Sequence, residues 1–327
     1  MIKIGIMSGA SIVPRFVAGI RASGVAEATA IATRDDKKTK QLAKELGISR
    51  TYSSYGELVA DSELDLIYIP LINNQHFSGA KLALNAGKNV LLEKPFTVTE
   101  DETKELFELA KQKKLLLMEA QKALFLPIIH EVKSRILSGE IGKVEWVDIQ
   151  ESRAGSESIP WFLDLSKGGG TLISNASYGL SVLQFLFGTA FDDVQSLHTT
   201  RNPLQADDEC HLILRKNKLL ISLFISSLMR FQSRLEIRGS LGKIIVPDYW
   251  KTEDAEIQLN TGKIKKIHFS HPEKSEFVYE IQHIADLLHK GKTESPIVTQ
   301  ALTMTNVKTV EECYKNWYGG NWYNSSN

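Results

Sequence analysis

The stretch IKIGIMSGASIVPRF, from Ile2 to Phe16, decides how the start of this chain is read. An apolar run meets a turn of small residues, and Pro14 then suits the first turn of a helix. That order is strand, tight turn, helix. A dinucleotide-binding turn reads G-x-G-x-x-G, its glycines allowing a tight bend, close approach of backbone to a pyrophosphate, and helix–strand packing. Here those positions hold Ser8, Ala10 and Val13, with Gly9 between them. Small side chains from Ser8 through Gly9, Ala10 and Ser11, with Ile12 beyond, still leave room for a phosphate above a helix N-terminus. Ser11 is a candidate cap for that helix. The stretch alone is equally a plain β-α turn, so the rest of the chain must decide.

Five apolar runs follow one another from Ile2 to Met118: Ile2–Met7, Ala26–Thr33, Leu64–Leu71, Asn89–Leu92 and Leu115–Met118. Helical patterns separate them near Pro14–Ala22, Lys38–Leu46, Tyr55–Ala60, Gln75–Asn85 and Glu100–Lys113. Gly24, Gly47 and Gly87 stand where helix C-terminal glycines belong. Near-continuous apolar strands alternating with helices predict a parallel sheet covered on both faces. After a helix at Pro127–Leu137 the texture changes. Lys143–Glu151, Cys210–Leu214, Leu219–Ser226, Arg234–Arg238, Ile244–Val246 and Glu256–Leu259 read as strands with short polar turns. An apolar helix, Thr171–Phe187, interrupts them, and helices near Glu276–Lys290 and Thr299–Trp317 close the pattern. This is an α+β domain on a large, mostly antiparallel sheet. The polar tail Gly319–Asn327 reads as frayed.

Composition limits the function. The 327 residues are 43% hydrophobic, and 39 Lys+Arg balance 39 Asp+Glu. Such a chain has no global basic field for nucleic acid or an anionic membrane. Only Cys210 and Cys313 occur, far apart and without ligand-spaced neighbours, which argues against a disulfide scaffold or a zinc site and fits a reducing compartment. No apolar run nears the roughly 20 residues that span a bilayer. With no export signal ahead of the first strand, a cytoplasmic protein acting on small molecules is expected.

Two further places carry chemistry. The second strand ends Ala32-Thr33-Arg34-Asp35. An acid there would hold ribose hydroxyls, whereas an arginine suits a 2′-phosphate, so Thr33 and Arg34, with Lys37 and Lys38 nearby, favour NADP over NAD. Asp35 and Asp36 belong to the first turn of the next helix. The plain alternative for Arg34 is a solvated surface charge. The other place is Leu91-Leu92-Glu93-Lys94-Pro95, where a buried strand delivers Glu93 and Lys94 to its C-terminal end, the edge at which open α/β sheets bind ligands. A lysine there can hold a carbonyl or hydroxyl oxygen and relay a proton.

In combination these pieces resemble the glucose-fructose oxidoreductase/inositol dehydrogenase/rhizopine-catabolism family, and within it the dihydrodiol dehydrogenase-like branch. The resemblance covers nearly the whole chain. It rests on the opening loop, "IPLINNQH", "AGKNVLLEKPF", "LMEA", "IPWF" and "GGGTL", in that order. It implies an NAD(P)-binding Rossmann domain over residues 1–121 and a substrate-binding, dimerising α+β domain over 122–327. It further implies that Lys94 contacts substrate and nicotinamide ribose beside Tyr178, and that the Lys94–Pro95 bond is cis. Leu71, Asn73, His76 and Glu93 are implied near the cofactor, with Trp161 and Phe162 covering the nicotinamide or substrate. Core packing is the plain alternative for those two aromatics.

The departures are as informative. The family pattern places an aspartate one helical turn before the histidine or tyrosine, where residues four apart share a helix face. In "GGGTLISNASY" Ser174 stands in its place and Ala176 replaces a glycine, while Leu124 stands where the branch carries an arginine. The expected activity is hydride transfer between NADP(H), with NAD possible, and a sugar-like or diol/carbonyl molecule. Tyr178 would exchange a proton with the substrate oxygen and Lys94 would orient it; Asn175 and Lys122 are candidate substitutes for the missing polar contacts. A free tyrosine has a pKa of about 10, so a nearby ammonium would help by lowering it. Two alternatives stay open: a non-catalytic NADP-binding regulator, and an NAD-dependent glycosidase of the same wider family. A homodimer or larger assembly is expected, because strands such as Leu219–Leu228 carry apolar residues on both faces.

Overall fold

The structure is a computed structural model that describes residues 1–323. The end of the tail read as frayed, residues 324–327, lies outside the described residues. Two compact units emerge from the packing. One comprises residues 1–121 with 271–304, and the other comprises residues 122–270 with the chain from 305 onward. The segment 271–304 therefore packs with the opening residues.

In the first unit, strands β1 (Ile2–Met7), β2 (Ala26–Ala32), β3 (Arg50–Tyr52), β4 (Leu66–Ile69), β5 (Asn89–Leu92) and β6 (Leu117–Glu119) form a parallel sheet. Its order is β3-β2-β1-β4-β5-β6, the doubly wound arrangement with a switch point between β1 and β4. Helices α1 (Val13–Ser23), α2 (Asp36–Glu45), α3 (Tyr55–Ala60), α4 (His76–Asn85) and α5 (Glu100–Lys113) connect the strands. Ile6, Ile67, Tyr68, Val90 and Leu91 are fully buried, as expected for strands covered on both faces. Phe16 on α1 stacks on Tyr68 at 3.7 Å and meets Phe277 edge-on at 5.8 Å. Phe277 precedes α8 (Val278–His289), which packs on α1. Removing the Phe16 ring should cost about 3–5 kcal/mol, the usual range for a buried aromatic.

Helix ends follow local chemistry. Gly24 caps α1 in the left-handed conformation, and Asp35 caps α2 by accepting from the Lys37 and Lys38 amides. Thr99 and Glu102 form a reciprocal capping box on α5. Ser11 does not cap α1: the cap position is Ile12, and no side chain donates or accepts there.

The second unit holds an eight-stranded sheet. Its members are β7 (Val144–Ser152), β8 (Asp193–Thr199), β9 (Glu209–Lys216), β10 (Leu219–Ser226), β11 (Arg234–Gly239), β12 (Gly242–Pro247), β13 (Asp254–Leu259) and β14 (Ile264–His268). The order is β14-β13-β12-β11-β7-β10-β9-β8, and only the β7–β10 pair is parallel. One face is covered by α7 (Thr171–Phe187), which packs on β9 and β10; α6 (Pro127–Leu137) and the end of α9 (Gln300–Tyr318) complete the helices. On the other face Leu197, Ile213, Leu220 and Trp146 are exposed. No helix among the described residues is long and apolar enough to cross a membrane.

Candidate active site

In the first unit the carboxyl ends of β2, β1, β4 and β5 lie side by side, and each delivers expected residues to one edge. Ser8, Gly9, Ala10, Ser11 and Ile12 follow β1, Thr33 and Arg34 follow β2, Leu71, Asn73 and His76 follow β4, and Glu93 and Lys94 follow β5. The loop after β1 has little spare room. A methyl group on Gly9 would come within 3.2 Å of both Thr33 and Lys38, and 3.4 Å of Leu42. No side chain caps α1, Val13 donates its amide to the Ala10 carbonyl at 3.0 Å, and Pro14 brings no N–H to the first turn. The close approach at Gly9 is the one feature of this loop in keeping with a backbone brought near a pyrophosphate. Thr33 itself is buried, its hydroxyl donating to the Asp35 carbonyl at 2.9 Å and lying 2.8 Å from the Thr39 hydroxyl. Arg34 is exposed, and its charge reaches the Tyr55 phenol.

The turn bearing Lys94 is held by buried side chains. The Lys94–Pro95 bond is cis. Glu93 accepts from the Tyr68 hydroxyl at 2.6 Å and from the Lys94 amide at 3.1 Å. His76, fully buried, sets Nδ1 2.7 Å from the Pro95 carbonyl and Nε2 3.0 Å from that of Leu71. A neutral imidazole has one N–H and can donate to only one of these oxygens. Burial holds its pKa down, although both carbonyls favour the charged ring. Glu119, at the end of β6, accepts from the Thr303 hydroxyl at 2.9 Å, while its Oε1 finds no partner among the described residues. Burial raises its pKa to about 7, even though Thr303 and the Phe96 amide favour the carboxylate.

The remaining expected residues belong to the second unit. Trp161 is half-buried and Phe162 buried. Gly169 donates to the Asp164 carbonyl at 2.9 Å and Gly170 to that of Phe162 at 2.6 Å, so "IPWF" and "GGGTL" form one interlocked loop. A side chain on Gly169 would strike the carbonyls of Trp161, Phe162 and Asp164. The loop launches α7, anchored by Asp207, which accepts from the Leu172 amide at 2.8 Å and the Tyr314 hydroxyl at 2.5 Å.

Tyr178 on α7 is 7% exposed, and the Lys122 ammonium lies 5.2 Å from its ring centroid. Lys122 is 3% exposed and donates to the Trp250 carbonyl at 2.5 Å, so it is no solvated surface cation. Asn175 turns back to donate to the Thr171 carbonyl of its own helix at 2.9 Å. Ser174 and Leu124 are buried. Sequence reasoning missed four groups around Tyr178: Glu151, Arg153, Tyr249 and Trp250. Glu151 is fully buried and accepts from the Tyr249 hydroxyl and from Arg153. One signal was available: Val147, Ile149 and Glu151 share the inward face of β7, so a carboxylate occupies an apolar position of the alternation.

A family model described as "Oxidoreductase family, NAD-binding Rossmann fold" matches residues 2–121, and one described as "GFO/IDH/MocA C-terminal domain" matches residues 129–245. Among curated relatives, trans-1,2-dihydrobenzene-1,2-diol dehydrogenase of Xenopus tropicalis is 28% identical over 312 residues, covering 91% of this chain and 93% of the relative. scyllo-Inositol 2-dehydrogenase (NADP(+)) of Bacillus subtilis strain 168 is 27% identical over 322 residues, covering 96% and 97%. Among solved structures, a 3-ketoreductase from Actinomadura kijaniata in complex with NADP and TDP-benzene superimposes with a TM-score of 0.85 at 22% identity, covering 95% of this chain and 96% of that one. With a dinucleotide edge in one unit, a buried tyrosine–lysine cluster in the other and both family models matched in order, the chain belongs to the Gfo/Idh/MocA family of NAD(P)-dependent oxidoreductases.

Proposed function

We propose that this chain is an NADP(H)-preferring oxidoreductase that interconverts a carbinol and a carbonyl on a sugar-like or diol molecule. The substrate class is that of the relatives, whose names give a dihydrodiol and scyllo-inositol. The observation that carries the reading is the Lys94 turn, which Glu93 and His76 hold at the carboxyl edge of the sheet. A group so fixed is preorganised to orient an oxygen. When bound, the nicotinamide ring supplies or accepts the hydride. In the oxidising direction the carbinol C–H bond breaks with its electron pair, the O–H proton passes to Tyr178, and the carbonyl forms. Lys94 holds that oxygen throughout. The ammonium of Lys122 lies against the ring of the tyrosine that would exchange this proton.

Ser8, Gly9, Ala10, Ser11 and Ile12 would hold the diphosphate, with Thr33 and Arg34 facing a 2′-phosphate. Leu71, Asn73, His76 and Glu93 support the nicotinamide side, and Trp161 and Phe162 cover the ring or the substrate. The same reading includes a homo-oligomer joined through the face that exposes Leu197, Ile213 and Leu220, and a cytoplasmic location. The test is a fluorescence titration with NADPH and NADH, followed by a carbonyl and polyol panel. NADPH should bind more tightly, and Arg34→Ala should weaken NADPH by about 10-fold or more while sparing NADH. Equal wild-type affinity for the two cofactors would refute the preference. Cofactor binding without turnover across the panel would favour a non-catalytic regulator, and aglycone release from a chromogenic glycoside would favour the glycosidase.

A further inference from the structure

Lys122 is 3% exposed, and burying an ammonium costs free energy that an apolar side chain of the same length would avoid. The turn that bears it, Lys122–Phe125, is buried throughout and packs on α7. Its Nζ donates to the Trp250 carbonyl at 2.5 Å, which fixes the head of a long side chain. So fixed, the ammonium stands over the Tyr178 ring, 5.2 Å from its centroid. Trp250 is itself braced: the Arg153 guanidinium stacks 4.0 Å from its ring centroid, and Glu151 holds that guanidinium at 3.1 and 2.7 Å.

No residue of α7 carries a charge. Around Tyr178 the charged and titratable groups of the same unit are Lys122, Glu151, Arg153 and Tyr249. Arg153 pairs with Glu151, and Tyr249 donates to the same carboxylate. Burial, with Glu151 beside it, holds the Tyr249 phenol well above its ordinary range, so that hydroxyl keeps its proton. A cation over an aromatic face is attracted to the electron density of the ring, and that density rises as the hydroxyl gives up its proton. We propose that Lys122 is the positioning residue of Tyr178: anchored on the Trp250 carbonyl, it keeps the ring in place and its charge favours the ring while the proton is away. The role rests on the oxidoreductase reading, in which Tyr178 takes and returns a proton. An uncharged donor at the same position would hold the carbonyl equally well without this effect, which separates the proposal from a packing role.

The test compares Lys122→Gln, Lys122→Met and Lys122→Arg with the wild type. Glutamine keeps a donor for the Trp250 carbonyl, methionine keeps only the length, and arginine keeps the charge. Tyrosinate absorbs in the near ultraviolet, and the part of that signal absent from Tyr178→Phe belongs to Tyr178. In Lys122→Gln and Lys122→Met that part should move up by about one pH unit, and in Lys122→Arg by much less. On any substrate that is turned over, both uncharged variants should lower kcat about 10- to 30-fold with NADPH affinity unchanged, the scale of a desolvated cation over a ring. In the Tyr178→Phe background the same changes should add less than about twofold, because they act through a hydroxyl no longer present. A Tyr178 signal that stays at the wild-type pH in Lys122→Gln overturns the proposal. So does the absence of a Tyr178 signal from the folded wild type, or a full further loss of kcat in the Tyr178→Phe background. Failure to turn over any member of the panel sinks the oxidoreductase reading, while the absorbance comparison still decides Lys122.

Discussion

Lys94 sits in a turn whose polar neighbours, Glu93 at the end of β5 and His76 at the start of α4, bond mainly to backbone atoms, with Glu93 also accepting from the Tyr68 hydroxyl. Tyr178 sits on an uncharged helix, and its charged neighbours face mainly side chains: Lys122 against its ring while donating to the Trp250 carbonyl, Arg153 on Trp250, Glu151 under Tyr249. In the first place Glu93 and His76 fix where a backbone goes. In the second, the groups set the electrostatics around the Tyr178 ring. Backbone-directed contacts constrain geometry and tolerate few substitutes. Side chain–side chain contacts can be exchanged as sets, which is how one scaffold accepts different substrates.

Removing the reactive groups should give the largest effects. Tyr178→Phe should lower kcat by about 10²–10⁴-fold, the usual contribution of a general acid–base group, and Lys94→Ala at least as much. NADPH affinity should survive both changes. Wild-type turnover by Tyr178→Phe on an identified substrate would make Tyr178 a packing residue and erase the contrast. Next comes Glu151→Ala, which leaves the half-buried Arg153 and the buried Tyr249 hydroxyl without their shared acceptor; unfolding in urea should show a loss of about 1–3 kcal/mol, with Glu151→Gln costing less. Equal losses would mean that the charge of Glu151 contributes nothing.

Glu119 sharpens the other side of the comparison through pH. Its folded pKa of about 7 lies above the ordinary 4.5. The stability it contributes is therefore fully present below about pH 4.5 and lost as pH rises through about 7. On the order of 1–3 kcal/mol should disappear across that window, and Glu119→Gln should flatten the loss. Asp207, raised to about 6 by burial, adds its own decline between about 3.8 and 6, so the comparison is between variant and wild type. Parallel stability–pH curves would show that Glu119 titrates normally. Smallest of all is Ser174→Ala: about 1 kcal/mol or less in stability, with kcat within about threefold. A large fall in kcat would show that Ser174 has taken on the work of the carboxylate it replaces.

How much of this was legible follows the same division. Helix α7 and strands β1, β5 and β10 stand where apolar periodicity placed them, because each buries at least one apolar face. Strands β3, β8 and β14 were not seen. β3 has three half-buried residues, and β8 and β14 lie at the sheet edges with no fully buried face, so hydrophobicity carries no signal there. Lys94 and His76 were visible because their motifs are contiguous. Arg153 and Trp250 were not, since nearly a hundred residues separate two side chains that touch. Lys122 was read as a candidate against a solvated alternative, and its burial removes that alternative.

Helix α7 has a consequence for synthesis. Nearly every residue from Thr171 to Phe187 is buried in the finished fold, and none is charged. On the ribosome this segment emerges before β9 and β10, the strands that cover it. At roughly 5–20 residues per second, a bare apolar helix then waits several seconds for its partners. A chain stopped just after Asp208 should therefore be insoluble or held by a chaperone, whereas one carried through the sheet should not. The interval between helix and strands is a window of vulnerability written into the order of the chain.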